Sequence, residues 1–273
     1  MKYELYQGTK RPSVSEQALL DHVEFLKQDF YQVETKWPQF QILFDEFAQL
    51  NKTLCADDTV LVLERAYFYG GFTLFAPILA NAQVVAVDCV VSEDDNRFGQ
   101  QLSWLEDERC IKWRPDHVSY ISDLKCIETG SMTHVLVPNV IHHERDQAGL
   151  FAEINRVLKP GGQCLIFEGL VRELHHMPQD YLRYTPGGIS VMFENAGLTT
   201  TQTRHGTGVF DVLAYVWQQA LEYFPDEIRQ EKIDWFYKEH YPYLQALDKK
   251  YPTNIAKPDK SFPMSYIVWA EKA

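Results

Sequence analysis

The chain has 273 residues, 45% of them apolar, and a formal net charge of −12. That length holds one large domain with additions, and that apolar share allows a sizeable core. The acidic balance excludes a nucleic-acid surface, which needs clustered Lys and Arg to displace counterions, and it disfavours docking on anionic membranes.

The N-terminus, MKYELYQGTKRPSVSEQ, carries no apolar signal-peptide core. No run of about 18 apolar residues marks a membrane span. A cytoplasmic protein is the expectation. Five cysteines (Cys55, Cys89, Cys110, Cys126, Cys164) are scattered without a C-x-x-C pair, which fits reduced thiols and excludes a zinc ribbon.

Leu19, Val23, Leu26 and Phe30 recur at three- and four-residue steps, so the spacing predicts a helix over 14–36, capped by Ser13 or Ser15. The helical pattern resumes from Phe40 to Leu50, after a break at Trp37-Pro38. TVLVLE, ending at Glu64, and VVAVDC, carrying Asp88, read as strands. Between them FTLFAPILANA is helical in period, with Pro77 kinking it or ending its first part. A third strand is only faintly signalled, around Ile111-Lys112-Trp113. THVLVPNV (133–140) and QCLIFEGL (163–170) are the fourth and fifth, separated by the helix QAGLFAEINRVLK. Leu150, Phe151, Ile154, Val157 and Leu158 share one face of that helix. Strands alternating with helices imply βαβ units and a parallel, doubly wound sheet.

YTPGGISVMFENAGL (184–198) predicts a helix capped by Thr185, with Pro186 at its first position and Gly197 at its end. TTTQTR then reads as a strand, and MSYIVWAEK as the last one. The aromatic-rich stretch 209–262, helical in period with loop signals at Pro252 and Pro258, is an insertion before that last strand. The expected division is a helical N-terminal segment, 1–52, and one domain, 53–273, carrying the insertion.

In open α/β sheets ligands lie outside the carboxyl ends of the strands. Those ends carry Glu64, Asp88, Asn139 with His142-His143-Glu144 beyond it, and Glu168. VLERAYFYGGFT, VVAVDC, THVLVPNVIHH, INRVLKPGGQCLIFEGL and YLRYTPGGISVMFENAGL resemble, in order and spacing, the class I S-adenosylmethionine-dependent methyltransferases. The resemblance covers roughly residues 55–200 and the final strand. Its most specific part, EINRVLKPGGQCLIFE, is a structural turn.

The resemblance implies a Rossmann-like, doubly wound seven-stranded sheet, mostly parallel with an antiparallel last strand, and S-adenosylmethionine as cofactor. Glu64 then corresponds to the acid near the methionine amino group, Asp88 to the acid on the ribose hydroxyls, and Asn139 to the residue beside the reactive end. Asp116 or His117, after the third strand, would lie near the adenine. The departure is the turn itself. Against the family's acidic-x-Gly-x-Gly-x-Gly, this chain reads Glu64-Arg65-Ala66-Tyr67-Phe68-Tyr69-Gly70, so Ala66 and Phe68 replace two glycines. Two readings stay open: the rings wall the pocket and face the sulfonium, or they fill it and the cofactor is lost.

His142-His143-Glu144 and His175-His176 invite a metal hypothesis, with Glu144 or Glu173 as a further ligand. The preferred reading assigns no metal. It gives His142 or His143 a role as general base or acceptor contact, against a plain helix-start histidine. His175, His176, Asp180, Tyr181 and Arg183 are candidate substrate contacts, against Asp180 and Arg183 pairing to pin their loop. The sequence thus reads as a methyltransferase acting on an oxygen or nitrogen of a small molecule or glycan, with a homodimer admissible. The rival is a non-catalytic, methyltransferase-like binding or scaffold protein. A nicotinamide dehydrogenase would need G-x-G-x-x-G after the first strand, which this chain lacks.

Overall fold

The computed structural model describes residues 4–8, 11–30, 40–90, 106–175, 177–251 and 261–273. Seven strands form one sheet in the order β3-β2-β1-β4-β5-β7-β6. They are β1 (Thr59–Glu64), β2 (Gln83–Cys89), β3 (His117–Ser119), β4 (Met132–Pro138), β5 (Leu158–Gly169), β6 (Leu198–His205) and β7 (Ser265–Lys272). All pairings are parallel except those of β7, which runs antiparallel to both β5 and β6. The seven-stranded, mostly parallel sheet with one reversed strand is as the resemblance implies.

Alternation along each strand divides two cores. Leu61 and Leu63 of β1, with Cys164 and Ile166 of β5, face a cluster closed by Leu150, Phe151, Ile154 and Phe193. Those four come from α3 (Gln147–Val157) and α4 (Pro186–Asn195). Val60, Val62, Leu165 and Phe167 face the opposite cluster with Phe25, Phe44 and Phe47. Those three come from α1 (Glu16–Phe25) and α2 (Gln41–Thr53). The caps explain the helix starts: Ser15 accepts from the Ala18 N–H, Asp146 from Gly149, and Thr185 from Gly188 with Pro186 following. Helical backbone continues from α1 to Phe30 as a five-residue π-helical stretch. The rest of the predicted 14–36 helix, and the Trp37-Pro38 break, lie outside the described residues.

Two predicted elements differ. FTLFAPILANA is not an α-helix. The β1–β2 connection holds two short 3-10 turns, Ala66–Tyr69 and Ala76–Leu79. Gly70 and Gly71 adopt left-handed φ of 69° and 79°, which turns the chain out of helical register. Thr73 then donates its N–H to the Trp113 carbonyl (2.8 Å), and the N–H groups of 74–76 go to a side chain instead of to carbonyls four residues back. The third strand is His117–Ser119, not Ile111–Trp113. Residues 111–113 bond outside the sheet: the Ile111 N–H donates to His22 Nδ1, and the Trp113 carbonyl accepts from Thr73.

Between β6 and β7 lie α5 (Val209–Leu221), α6 (Asp226–Trp235) and α7 (Tyr241–Lys250), with π-helical backbone at Phe236–His240. They enclose a cluster of their own around Ala214, Phe236, Tyr241 and Leu244. Val212 and Tyr215 of α5 pack with Val171 and Met264, and the Tyr215 hydroxyl donates to the Glu173 carboxylate. The insertion is therefore anchored to the segment that follows β5. Pro252 and Pro258 lie outside the described residues.

His22 ties α1 to this framework. It is fully buried, its Nε2 donates to the Leu74 carbonyl (2.9 Å) and its Nδ1 accepts from Ile111. Burial pushes its pKa down to about 4, so the unfolded chain takes up a proton first as pH falls below about 6.5. Stability contributed by neutral His22 is complete above that pH and is lost down to about 4, on the order of 3 kcal/mol. Urea unfolding of wild type and His22→Gln across that window is expected to show a loss that the variant lacks in large part.

Candidate active site

In this strand order the direction of winding reverses between β1 and β4, so the switch point opens between the segments that follow them. β1 ends at Glu64, which is fully buried. Its Oε2 accepts from the N–H groups of Leu74 (2.8 Å) and Phe75 (3.2 Å), and its Oε1 from that of Ala76 (3.1 Å). Burial pushes this carboxyl up to about 7, against the pull of those three N–H groups and of Arg11. Its acceptor oxygens thus hold this chain's own loop.

The next residues fill the turn. Ala66 is buried, Phe68 is half-buried, and the Arg65 guanidinium lies 3.7 Å over the Phe68 ring. Arg65 is itself only 6% exposed. The face of Phe68 open to a cation is therefore covered by the chain's own cation. Gly70 closes the turn in a left-handed conformation, where a Cβ would be strained.

Asp88 stands level with Glu64 in the adjacent strand and is 1% exposed. Its charge and those of Arg65 and Glu64 all act on the Cys89 thiol, which burial pushes up. Asp116 and His117 do not follow the third strand. His117 opens β3, and Asp116 precedes it, paired with Arg11 (2.8 Å) and accepting from the Ala86 N–H. The expectation that the pair follows the third strand is corrected accordingly, because β3 starts six residues later than the sequence pattern placed it.

β4 ends at Pro138, and Asn139 follows with φ of 59°, left-handed for a non-glycine residue. Its N–H donates to the Phe167 carbonyl (2.9 Å). The chain then forms a short turn, Ile141–His143, held by the carboxylate that ends β5. Glu168 Oε1 accepts from the Ile141 N–H (3.0 Å) and Oε2 from His142 Nδ1 (2.7 Å). His142 Nε2 lies 3.1 Å from His175 Nε2, and His143 Nδ1 donates to the Gln179 carbonyl (2.6 Å). Desolvation holds His143 neutral, with the Arg65 charge adding to the effect. His175 is pushed down to about 4 by burial, with Arg172 adding to the effect.

The fold thus brings His142, His143 and His175 together from two loops. His176 lies outside the described residues. Asp180 is paired with Arg183 through both oxygens and accepts from the His175 N–H (3.0 Å), which pins the loop. Tyr181 is exposed at the rim, its N–H donating to the His142 carbonyl. Glu144 accepts from Ser122 and the Asp146 N–H, and Glu173 from Tyr215. Sequence reasoning noted Glu168 as a strand end but gave it no role. It also missed the convergence of His175 on His142, for which local spacing carries no signal.

A sheet of this order with a reversed last hairpin, and a site at the ends of β1, β2, β4 and β5, defines the class I methyltransferase fold. A family model described as a methyltransferase domain matches residues 70–166 of the chain. The 4+2 cyclase SpnF shares the fold at a TM-score of 0.50 and 15% identity, over 94% of this chain and 92% of that one. Phosphoethanolamine N-methyltransferase 2 of Haemonchus contortus, in complex with S-adenosyl-L-methionine, aligns at 0.47 and 18% identity, over 96% of this chain and 58% of that one. Geranyl diphosphate C-methyltransferase of Streptomyces coelicolor A3(2) aligns at 0.46 and 15%, over 85% and 77%. No curated protein matches the chain.

Removing the Glu64 carboxylate leaves three buried loop N–H groups without an acceptor. Glu64→Ala is expected to cost at least about 3 kcal/mol, from roughly 1–3 kcal/mol per stranded donor. Denaturant unfolding measures it, and a cost under about 1 kcal/mol would mean the loop stands without the clamp.

Proposed function

We propose that this chain binds S-adenosylmethionine at the switch point and transfers its methyl group to an oxygen or nitrogen of a small molecule or glycan. The observation that carries the reading is Asp88, a carboxylate 1% exposed at the end of β2, one strand from the switch point. That is where a carboxylate receives a ribose diol. Arg65, nearly as buried and next to the end of β1, adds a guanidinium suited to an amino-acid carboxylate. A carboxylate for a diol and a guanidinium for a carboxylate fit a cofactor that joins a ribose to an amino acid.

Bound S-adenosylmethionine supplies a methyl group activated by its sulfonium leaving group. The chain's own part is positioning and exclusion of water. Asp88 and Arg65 hold the two ends, and Glu64 keeps the loop over them fixed without touching the ligand. Asn139 and the histidine cluster form the opposite wall, with His175 and Tyr181 at the acceptor side. An imidazole with a pKa near 4, as at His175, is a weak base at neutral pH. Alignment of the acceptor atom therefore dominates over proton abstraction.

A second reading, a methyltransferase-like protein that no longer binds cofactor, is favoured by one observation: Arg65 stacked on Phe68 fills the turn after β1. Calorimetric titration with S-adenosylmethionine and S-adenosylhomocysteine separates the two. Binding by wild type is expected, weakened about 10- to 100-fold in Asp88→Ala through lost charge-assisted hydrogen bonds. No heat from wild type at millimolar ligand supports the second reading and overturns the first.

A further inference from the structure

We propose that His142, His143 and His175 form a divalent transition-metal site of the zinc type, with Glu168 orienting His142 and a fourth position left for water or an oxygen ligand. One ring nitrogen from each histidine lies within 4.8 Å of the other two. His142 and His143 are 3% and 4% exposed, and the His175 side chain 11%.

The tautomers follow from the partners. Glu168 Oε2 stands 2.7 Å from His142 Nδ1, the Gln179 carbonyl 2.6 Å from His143 Nδ1, and the Glu173 carbonyl 3.2 Å from His175 Nδ1. Each of these oxygens accepts, so each Nδ1 carries a proton, and in the neutral ring Nε2 carries the lone pair that a metal takes. His142 Nε2 and His175 Nε2 nevertheless face one another at 3.1 Å. Two lone pairs at that distance repel unless a proton or a metal cation lies between them. Two nitrogens on a tetrahedral zinc stand about 3.4 Å apart at Zn–N distances of about 2.0–2.1 Å. The pair is therefore already near ligand spacing, and His143 offers a ring nitrogen within 4.8 Å of both partners.

The surrounding groups are those of a metal site. Metal-bound histidines donate their other N–H to a carboxylate or a carbonyl, which fixes ring orientation and raises ligand basicity. Here one carboxylate and two carbonyls do so. Glu168 is itself fixed by the Ile141 N–H at 3.0 Å, and it supplies the negative charge that three neutral imidazoles lack. Three histidines with an open fourth position suit zinc, and the same set takes cobalt. Methyl transfer is not part of this inference.

The test uses tag-free, full-length protein stripped with chelator and no S-adenosylmethionine present. Titration with Zn2+ and with Co2+ is expected to give one equivalent per chain, and Co2+ a visible tetrahedral ligand-field spectrum. Glu168→Gln is expected to weaken Zn2+ binding about 10- to 100-fold, and His175→Ala to abolish the spectrum. His205→Ala, outside the cluster, should match wild type. Absence of stoichiometric Zn2+ and Co2+ binding by wild type overturns the proposal, as does wild-type affinity in a folded His175→Ala. Should His175→Ala fail to fold, the wild-type spectrum and the Glu168→Gln affinity decide it.

Discussion

A buried carboxylate with three backbone N–H groups pointed at it sets the geometry of this site. Glu64 ends β1 inside the protein, where a charge cannot stay unsolvated. Its oxygens are met by the N–H groups of Leu74, Phe75 and Ala76. Meeting that demand takes three N–H groups out of a helix that would otherwise form there. The β1–β2 crossover consequently runs as short 3-10 turns that lie across the strand ends. Glu168 repeats the device at the end of β5, where it takes the Ile141 N–H and the Nδ1 proton of His142. Two strand-terminal acids thus fix the loops on both sides of the switch point, and Asp88 stands level with Glu64 in the next strand.

The turn that departs most from the methyltransferase pattern acquires a physical account from this arrangement. Glycines at its centre would allow close backbone approach by a ligand. With Ala66 and Phe68 there, the chain folds Arg65 back over the half-buried Phe68 ring and buries the guanidinium next to the strand end. A buried guanidinium then lies where its charge reaches His143 across the opening. The β1–β2 side accordingly carries one cation and one carboxylate, and the β4–β5 side carries the imidazoles of His142, His143 and His175. The aromatic insertion adds a third boundary, tied in through Tyr215 and Glu173.

Much of the fold was legible because burial repeats along the chain. TVLVLE, VVAVDC and QCLIFEGL are apolar runs of strand length, and the caps at Ser15, Thr185 and Gly197 follow from local chemistry that tertiary contacts do not override. The two misread stretches have partners distant in sequence. FTLFAPILANA has helical periodicity, but its backbone is claimed by Glu64, ten residues or more earlier. Ile111–Trp113 is apolar because it packs against α1 and the 70s loop, not because it pairs in the sheet. In the candidate site, positions after strands could be read from topology. Which side chains meet there could not, since His142 and His175 are 33 residues apart and the Glu168 that holds His142 comes from a third element.

A crystal structure with S-adenosylhomocysteine bound tests the central claim most directly. The account predicts the ligand across the carboxyl ends of β1 and β4, its ribose hydroxyls on Asp88, and Glu64 still holding the N–H groups of residues 74–76. A ligand bound elsewhere, or a Glu64 that releases its loop to contact the ligand, would contradict it.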